Sequence, residues 1–421
     1  MLNRFRTALK NGDNKRLFEN FFSLSVFQAV NYILPLLTFP YLLRILGPDK
    51  FGLVAFAQSF MTYFSILVDF GFDLSAVREI SIHRDDSKKI TEIYSSIMTI
   101  KMIFLLISLL ILMGIVFWFD RFSNEKALYF ISFGSVVGLA LFPMWYFQGM
   151  EAMKYTTAIN ILSRTLFTVM IFIFVRNKSD YILVPLISGI GSIVAGFVSL
   201  WIIRKKMQQH FVFCKITKLI YQLKESMHFF WSRVSVSTYT SSNAFVLGLL
   251  TNTTIVGYYA AAEKLYMAIQ SAYSPLIQTL YPYIAKQRNI ALFKKIFYAV
   301  TIINTLCVGV GLLIADKLIH LISGQYLPES VMVFRILLIA LLVVVPSILL
   351  GYPFLAALGH KRSANYSVII GSLFHVAVLS LCMVIGSVNL LIVSVLVVAT
   401  ETIVFSIRVY SVNKNNLWSI T

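Results

Sequence analysis

The sequence predicts an all-α polytopic membrane protein: about twelve transmembrane helices in two six-helix bundles, related by a pseudo-two-fold axis along the membrane normal. Three observations carry this. Apolar residues make up 58% of the 421 positions and charged residues only 13%, far from the balance of an ordinary soluble domain. The apolar residues fall into long runs, near the roughly 20 helical residues that a bilayer core requires. They lack the alternation of a lipid-facing barrel. The third observation is an internal repeat of octapeptides 205 positions apart.

In order, the spans are 18–43, 52–72, 97–118, 127–147, 158–175, 181–203, 229–250, 256–284, 295–315, 331–355, 366–385 and 390–410. Residues 1–17 are polar and basic. The apolar stretch after them is too long for a signal peptide and lacks a small-residue cleavage site, so span one is expected to be retained. Orientation follows from the basic residues of the breaks. With the N-terminus in the cytoplasm, 23 Lys and Arg fall on the cytoplasmic side and seven on the other, so both termini are read as cytoplasmic. The net charge of +18 then reflects topology and attraction to anionic headgroups, and nucleic acid is not expected as a partner.

The repeat sets the domain organisation. Phe51-Gly52-Leu53-Val54-Ala55-Phe56-Ala57-Gln58 opens span two, and Val256-Gly257-Tyr258-Tyr259-Ala260-Ala261-Ala262-Glu263 opens span eight. A second echo joins Phe147-Gln148-Gly149 after span four to Ala357-Leu358-Gly359 after span ten. Six helices per half keep both halves in one orientation. The predicted domains are therefore 1–203, a basic cytoplasmic connecting loop at 204–228, and 229–421.

Polar residues mark where such a protein would hold water. In span two, Gln58, Thr62, Ser65 and Asp69 share one helical face, and Glu263, Gln270, Ser274 and Gln278 repeat the stripe in span eight. Span one adds Gln28, Asn31 and Tyr32, and span seven is rich in Ser and Thr from Ser232 to Asn243. Ser and Thr serve ordinary helix packing in membranes, but a face that also bears Gln, Asp and Glu is read as the wall of a hydrated cavity, enclosed by spans one, two, seven and eight. Ionisable groups at depth are costly. Arg164 lies seven residues inside span five, about 10 Å by helical rise, beyond the reach of snorkelling, so it meets a cavity or a carboxylate. Glu401, in the middle of span twelve, is either an ion-coupling carboxylate or the partner of an Arg. Asp69, Asp73, Arg78 and Glu79 cluster at the cytoplasmic end of span two as an ion-pair network or a gate. Eight prolines within spans fit helices that bend.

Enzyme chemistry is not expected. No phosphate-binding glycine loop, metalloprotease motif or nucleophile elbow is present, the six histidines lack metal-ligand spacing, and no long extramembrane segment exists to hold a catalytic site. Cys214, Cys307 and Cys382 are read as reduced thiols. No cofactor or metal is expected.

The segment Pro40-Tyr41-Leu42-Leu43-Arg44-Ile45-Leu46-Gly47-Pro48-Asp49-Lys50-Phe51-Gly52 resembles the opening signature of bacterial polysaccharide repeat-unit flippases. These are the Wzx type, within the multidrug/oligosaccharidyl-lipid/polysaccharide exporter superfamily. Trp145-Tyr146-Phe147-Gln148-Gly149-Met150-Glu151 and Val256–Lys264 are similar to that family's segments after span four and at the start of span eight. The resemblance implies translocation of an undecaprenyl-diphosphate-linked oligosaccharide, for O-antigen or capsule, from the cytoplasmic to the periplasmic leaflet of the bacterial inner membrane. It also implies an initiating glycosyltransferase, a polymerase and a chain-length regulator as partners. Cations suit a diphosphate through charge-assisted hydrogen bonds: Arg44, Arg164 and Lys264, with Arg78 and Arg233 at the cytoplasmic mouth. Asn31, Gln58, Gln270, Gln278 and Trp145 are expected to face sugar, and Asp69, Glu263 and Glu401 are candidates for ion coupling. The leading alternative is a cation-coupled drug exporter of the same superfamily. A polysaccharide polymerase is disfavoured because it would carry a large periplasmic loop.

Overall fold

The computed structural model describes residues 12–418, with side chains from Leu34 onward except at positions 232, 236 and 238–240. Gln28, Asn31 and Tyr32 therefore lie outside the residues whose side chains are described. Every regular element among the described residues is helical.

Spans one and two run through α1 (Gly12–Asp69), which breaks at Gly47, where φ is 69° and ψ 171°, a backbone conformation open to glycine. After a left-handed residue at Gly71 come α2 (Phe72–Ile82) and α3 (Ser87–Trp118), the latter capped by Asp86, whose carboxylate accepts from the Lys89 N–H. Span four is built in pieces: α4 (Asp120–Ser123), α5 (Lys126–Ser132), α6 (Gly134–Leu141) and, after Pro143, α7 (Met144–Gly149). Spans five to seven are α8 (Met153–Phe174), α9 (Leu183–Lys206) and α10 (Ile216–Leu250). Span eight divides into α11 (Thr253–Ser271) and α12 (Ser274–Gln287), with Pro275 in the first turn of α12. Then follow α13 (Ile290–Ser323), α14 (Pro328–Leu349) running into a π-helical stretch at Leu350–Ala356, α15 (Lys361–Ile385) and α16 (Leu390–Lys414).

Nine helices among the described residues are long and apolar enough to cross a membrane, against about twelve expected. The difference has local causes. Spans one and two count once because their helices run together, in the stretch Leu34–Ile82. Of span seven only Ser241–Leu250, a shorter apolar helix, is counted among the described residues, and span eight is interrupted before Pro275.

The chain divides into two compact units: Met1–Thr38 with Ala57–Arg233, and Phe39–Phe56 with Val234–Thr421. The N-terminal unit packs α2, α3, α7 and the adjoining ends of α9 and α10 around Phe72, Ile80, Ile97, Trp145 and Phe147. Across it, α6 and α9 cross closely: a Cβ on Gly138 would run into Ser192, the small-residue contact by which membrane helices pack. In the C-terminal unit, Ile284, Phe293, Leu349, Phe354 and Leu355 form the core, with the Phe293 and Phe354 rings stacked 4.3 Å apart. The Phe39–Phe56 segment packs there as well. Gly52 and Gly257, the paired glycines of the repeat, lie against one another, and neither has room for a Cβ. The second echo also has a structural counterpart, since spans four and ten are each interrupted near that end, at Pro143 and around Gly351 and Pro353.

Candidate functional site

Each unit holds a polar pocket of its own. In the N-terminal unit, a pocket of about 270 Å³ between α6, α8 and α9 is lined by Ser135, Asn160, Ser163, Arg164, Ser188 and Ser192. A second, of about 210 Å³, shares Ser135 and Ser188 with it and is lined by Gln58, Thr62 and Ser65 of α1. The stripe on span two therefore faces the same polar interior as Arg164.

Arg164 is well inside its helix, as its place in the apolar run predicts, and the helix starts five residues before the predicted span 158–175. It is eleven residues into the 22-residue α8, about 16 Å from the start by helical rise. It makes no hydrogen bond or ion pair among the described residues. One turn before it, the Asn160 Oδ1 is buried without a donor. The neighbouring hydroxyls direct their protons to the backbone: Ser135 to the Ser132 carbonyl at 2.7 Å, Ser163 to Gly191 at 2.9 Å, and Ser192 to Ser188 at 2.9 Å. Their oxygens are left as acceptors. The pocket thus offers a guanidinium with five N–H donors, an amide and a ring of hydroxyl acceptors, with no carboxylate to neutralise the charge. An anion flanked by hydroxyl groups matches that set.

The C-terminal unit's pocket, about 100 Å³, has the opposite sign. It brings together Glu263 and Gln270 of α11, Glu401 of α16, His375 of α15, and Asn243 and Tyr259. A hydrogen-bonded chain crosses it. Asn243 Nδ2 donates to the Tyr259 hydroxyl at 2.9 Å, its Oδ1 lies 3.0 Å from His375 Nε2, and His375 Nδ1 lies 2.9 Å from the Thr400 hydroxyl. Thr400 in turn donates to the Leu396 carbonyl at 2.8 Å. A neutral ring protonated on Nε2 donates to Asn243 Oδ1 and accepts at Nδ1 from the Thr400 hydroxyl once that hydroxyl turns from Leu396, whereas a doubly protonated ring donates to both. Protonation and hydrogen-bond direction are therefore linked here. Glu401 forms no ion pair among the described residues, and Arg408, whose charge reaches it, hydrogen-bonds Ser347 and Ser367 beside the break at Gly351.

The remaining candidates are distributed otherwise. Arg44 is in the C-terminal unit, where its Nε donates to the Ile322 carbonyl at 3.0 Å and its Nη2 to Leu321. It caps the C-terminal end of α13, a favourable place for a cation. Asp69 is paired with the buried Lys101 of α3, whose Nζ lies 3.3 Å from Oδ1 and from the Leu139 carbonyl. Trp145 is only 1% exposed and packs on Tyr94 and Tyr146 in the N-terminal core, so it faces neighbours in the fold. Lys264 follows Glu263 on α11 and does not line the pocket. Gln278 is exposed on α12 and donates to the Ser274 hydroxyl at 3.0 Å. Arg78 is exposed on α2, Arg233 is exposed and acts electrostatically on Asp73, and Glu79 accepts from Gln222 Nε2 at 2.7 Å. Asn31 is outside the described side chains.

Sequence reasoning placed Asn243 in the polar stretch of span seven but did not single out His375, Tyr259, Thr400 or Asn160 for the sites where they stand. The available signal was a lone histidine and asparagines within apolar spans, which stand out by cost alone.

Comparison with known proteins places this arrangement. Residues 17–288 match the family model described as polysaccharide biosynthesis protein. A protein of Escherichia coli (strain K12), with the description "Putative O-antigen transporter", is 31% identical over 333 residues, covering 78% of this chain and 80% of that protein. A protein of Shigella dysenteriae with the same description is 28% identical, covering 73% and 80%. Among solved structures, the lipid II flippase MurJ in its inward closed conformation superimposes with a TM-score of 0.72 at 13% identity, covering 94% of this chain and 87% of that one. An inward-facing MATE-family transporter of the MOP superfamily superimposes with a TM-score of 0.68 at 13% identity, covering 96% and 99%. At that identity the likeness is one of fold. These relatives are transporters, not enzymes. The chain belongs to the polysaccharide biosynthesis protein family, as a multi-span membrane protein with a MATE- and MurJ-like fold.

Proposed function

We propose that this protein is a flippase for an undecaprenyl-diphosphate-linked oligosaccharide repeat unit. It would move that unit from the cytoplasmic to the periplasmic leaflet of a bacterial inner membrane for O-antigen or capsule assembly. The relatives' description as O-antigen transporters supports the substrate class. The observation that carries the reading is Arg164, an unpaired cation mid-helix in a pocket of amide and hydroxyl groups. A lipid diphosphate with a glycan head cannot cross hydrocarbon unaided, because its charge and hydroxyls would lose hydration. A guanidinium for phosphate oxygens and Gln58, Asn160 and serine hydroxyls for sugar meet that need within one unit.

The full architecture in this reading is twelve crossings in two six-helix bundles, with both termini cytoplasmic and transport by alternating access. Glu263 and Glu401, with the His375 chain between their helices, serve a coupling proton or cation. Two negative charges moving outward also gain about 2.3 kcal/mol each per 100 mV of inside-negative potential. An initiating glycosyltransferase, a polymerase and a chain-length regulator act on the same lipid before and after it.

The test is a strain lacking the gene, its lipid-linked oligosaccharides extracted and its surface glycan assayed. The expected result is undecaprenyl-diphosphate repeat unit accumulated on the cytoplasmic leaflet with surface polymer lost, restored by the wild-type gene but not by Arg164→Ala. Units exposed to the periplasm but unpolymerised would assign a polymerase instead. Unchanged glycan together with lost drug efflux would assign a drug exporter.

A further inference from the structure

Away from both polar pockets, the N-terminal unit carries an apolar groove of about 520 Å³ with one cationic end. It runs along α3 from Tyr94 to Leu106, with Leu200 and Arg204 of α9 and the rings of Phe211 and Phe213 on its other side. Tyr94 to Leu106 is about 18 Å by helical rise. That is about one leaflet of a hydrocarbon core roughly 30 Å thick.

The end with Arg204 is built from the loop after α9. Gln209 is buried and its amide donates to the Thr91 hydroxyl, while the Val212 N–H donates to the Ser95 hydroxyl at 3.0 Å. These bonds pin the loop to α3. Pinned this way, it leaves Phe211 45% and Phe213 95% exposed, their rings 5.5 Å apart. Two phenylalanines held outward forgo about 1.5–3 kcal/mol each of burial, unless a membrane receives them. The flanking sequence is basic, with Lys205, Lys206 and Lys215, and Arg204 itself is exposed with no hydrogen bond or ion pair among the described residues. Aromatic rings beside basic side chains are the composition of a cytoplasmic membrane interface.

We propose that this groove binds one anionic phospholipid of the cytoplasmic leaflet, its phosphate on Arg204 and one acyl chain laid along α3 towards Leu106. The charge at the mouth selects an anionic headgroup, and the length of the groove matches an acyl chain confined to one leaflet. The site is separate from the Arg164 pocket, so the lipid is an accessory to transport and not its cargo.

The test is native mass spectrometry of the full-length purified protein with phosphatidylglycerol and phosphatidylcholine of matched acyl chains. One phosphatidylglycerol is expected to remain bound at energies that strip phosphatidylcholine. Arg204→Gln should lower phosphatidylglycerol occupancy about five-fold, the equivalent of about 1 kcal/mol for one interfacial cation, and leave phosphatidylcholine unchanged. Leu106→Trp, which fills the deep end, should lower both. Arg164→Ala should change neither, which separates this site from the transport reading. Equal retention of the two lipids, or undiminished phosphatidylglycerol in both groove variants, overturns the proposal. So does displacement of phosphatidylglycerol by an equimolar polyprenyl phosphate, which would make the groove a seat for the cargo's tail.

Discussion

Arg164 and Glu401 each stand eleven residues into their own helix, α8 and α16, one in the N-terminal unit and one in the C-terminal unit. Their company differs. Arg164 faces hydroxyl and amide groups and no carboxylate, in a pocket more than twice the size of the other. Glu401 shares a tight pocket with a second carboxylate and a histidine bonded through both ring nitrogens. A lone cation among acceptors invites an anionic ligand with hydroxyls of its own. Paired carboxylates on a hydrogen-bonded chain suit a proton or a small cation. The octapeptides that open spans two and eight are alike, yet one pocket is built on a guanidinium and the other on two carboxyl groups and a histidine.

The sharpest way to break this contrast is Arg164→Ala. If the N-terminal pocket holds the anion, removing the guanidinium should cut glycan export about 100-fold or more, as expected for a desolvated charge-assisted contact worth about 3 kcal/mol. Arg164→Lys should restore part of it. Membrane insertion, followed by immunoblot of the membrane fraction, should be unchanged; normal surface polymer in the alanine variant would remove the basis for the assignment.

Lys101→Met probes the part of the N-terminal unit where charge is already balanced. It leaves Asp69 buried without its partner and should cost about 3 kcal/mol of stability, read as a lowered Tm in detergent. Adding Asp69→Leu should recover most of that loss. Failure to recover would mean that the pair has a role beyond mutual compensation.

In the C-terminal pocket, Glu263→Gln and Glu401→Gln should each lower export about ten-fold, the loss of about 1.4 kcal/mol of coupling free energy. The double variant should lose little more than either single one, because both act in one cluster. Lipid-linked substrate binding to the purified protein should be unaffected. Strictly additive losses, or a binding defect, would place these carboxylates with the cargo.

The smallest effect is expected at Arg44→Gln. The side chain caps α13 through the Leu321 and Ile322 carbonyls, a contact worth about 0.5–1 kcal/mol. Tm should fall slightly while export persists. A loss of export as large as that of Arg164→Ala would return Arg44 to the substrate.

Much of the fold was legible beforehand because its determinants are local. Hydrophobic length marks a crossing whatever it packs against, and a repeated Gly at 52 and 257 marks a close approach because nothing larger fits. The depth of Arg164 and Glu401 could be read from their places in apolar runs. Of the stripe Gln58, Thr62, Ser65 and Asp69 read from helical period, the first three line a polar pocket, but with residues of spans four and six instead of one, seven and eight, and Asp69 pairs with Lys101. Partnership was not. A buried indole and a sugar-facing indole look alike along the chain, and only packing against Tyr94 and Tyr146 puts Trp145 in the core.

The amino-acid sequence by itself determined the helical membrane architecture and the places where charge is forced into apolar surroundings. Each of these follows from spacing along one chain. The tertiary structure alone decided that Asp69 pairs with Lys101, that Arg44 caps α13, that Arg164 has no counter-ion among the described residues, and that His375 joins Asn243 to Thr400. Those outcomes depend on which helix faces reach hydrogen-bonding distance across tens to hundreds of residues. In a membrane, where water supplies no partner, that proximity decides whether a charge is structural or available for work.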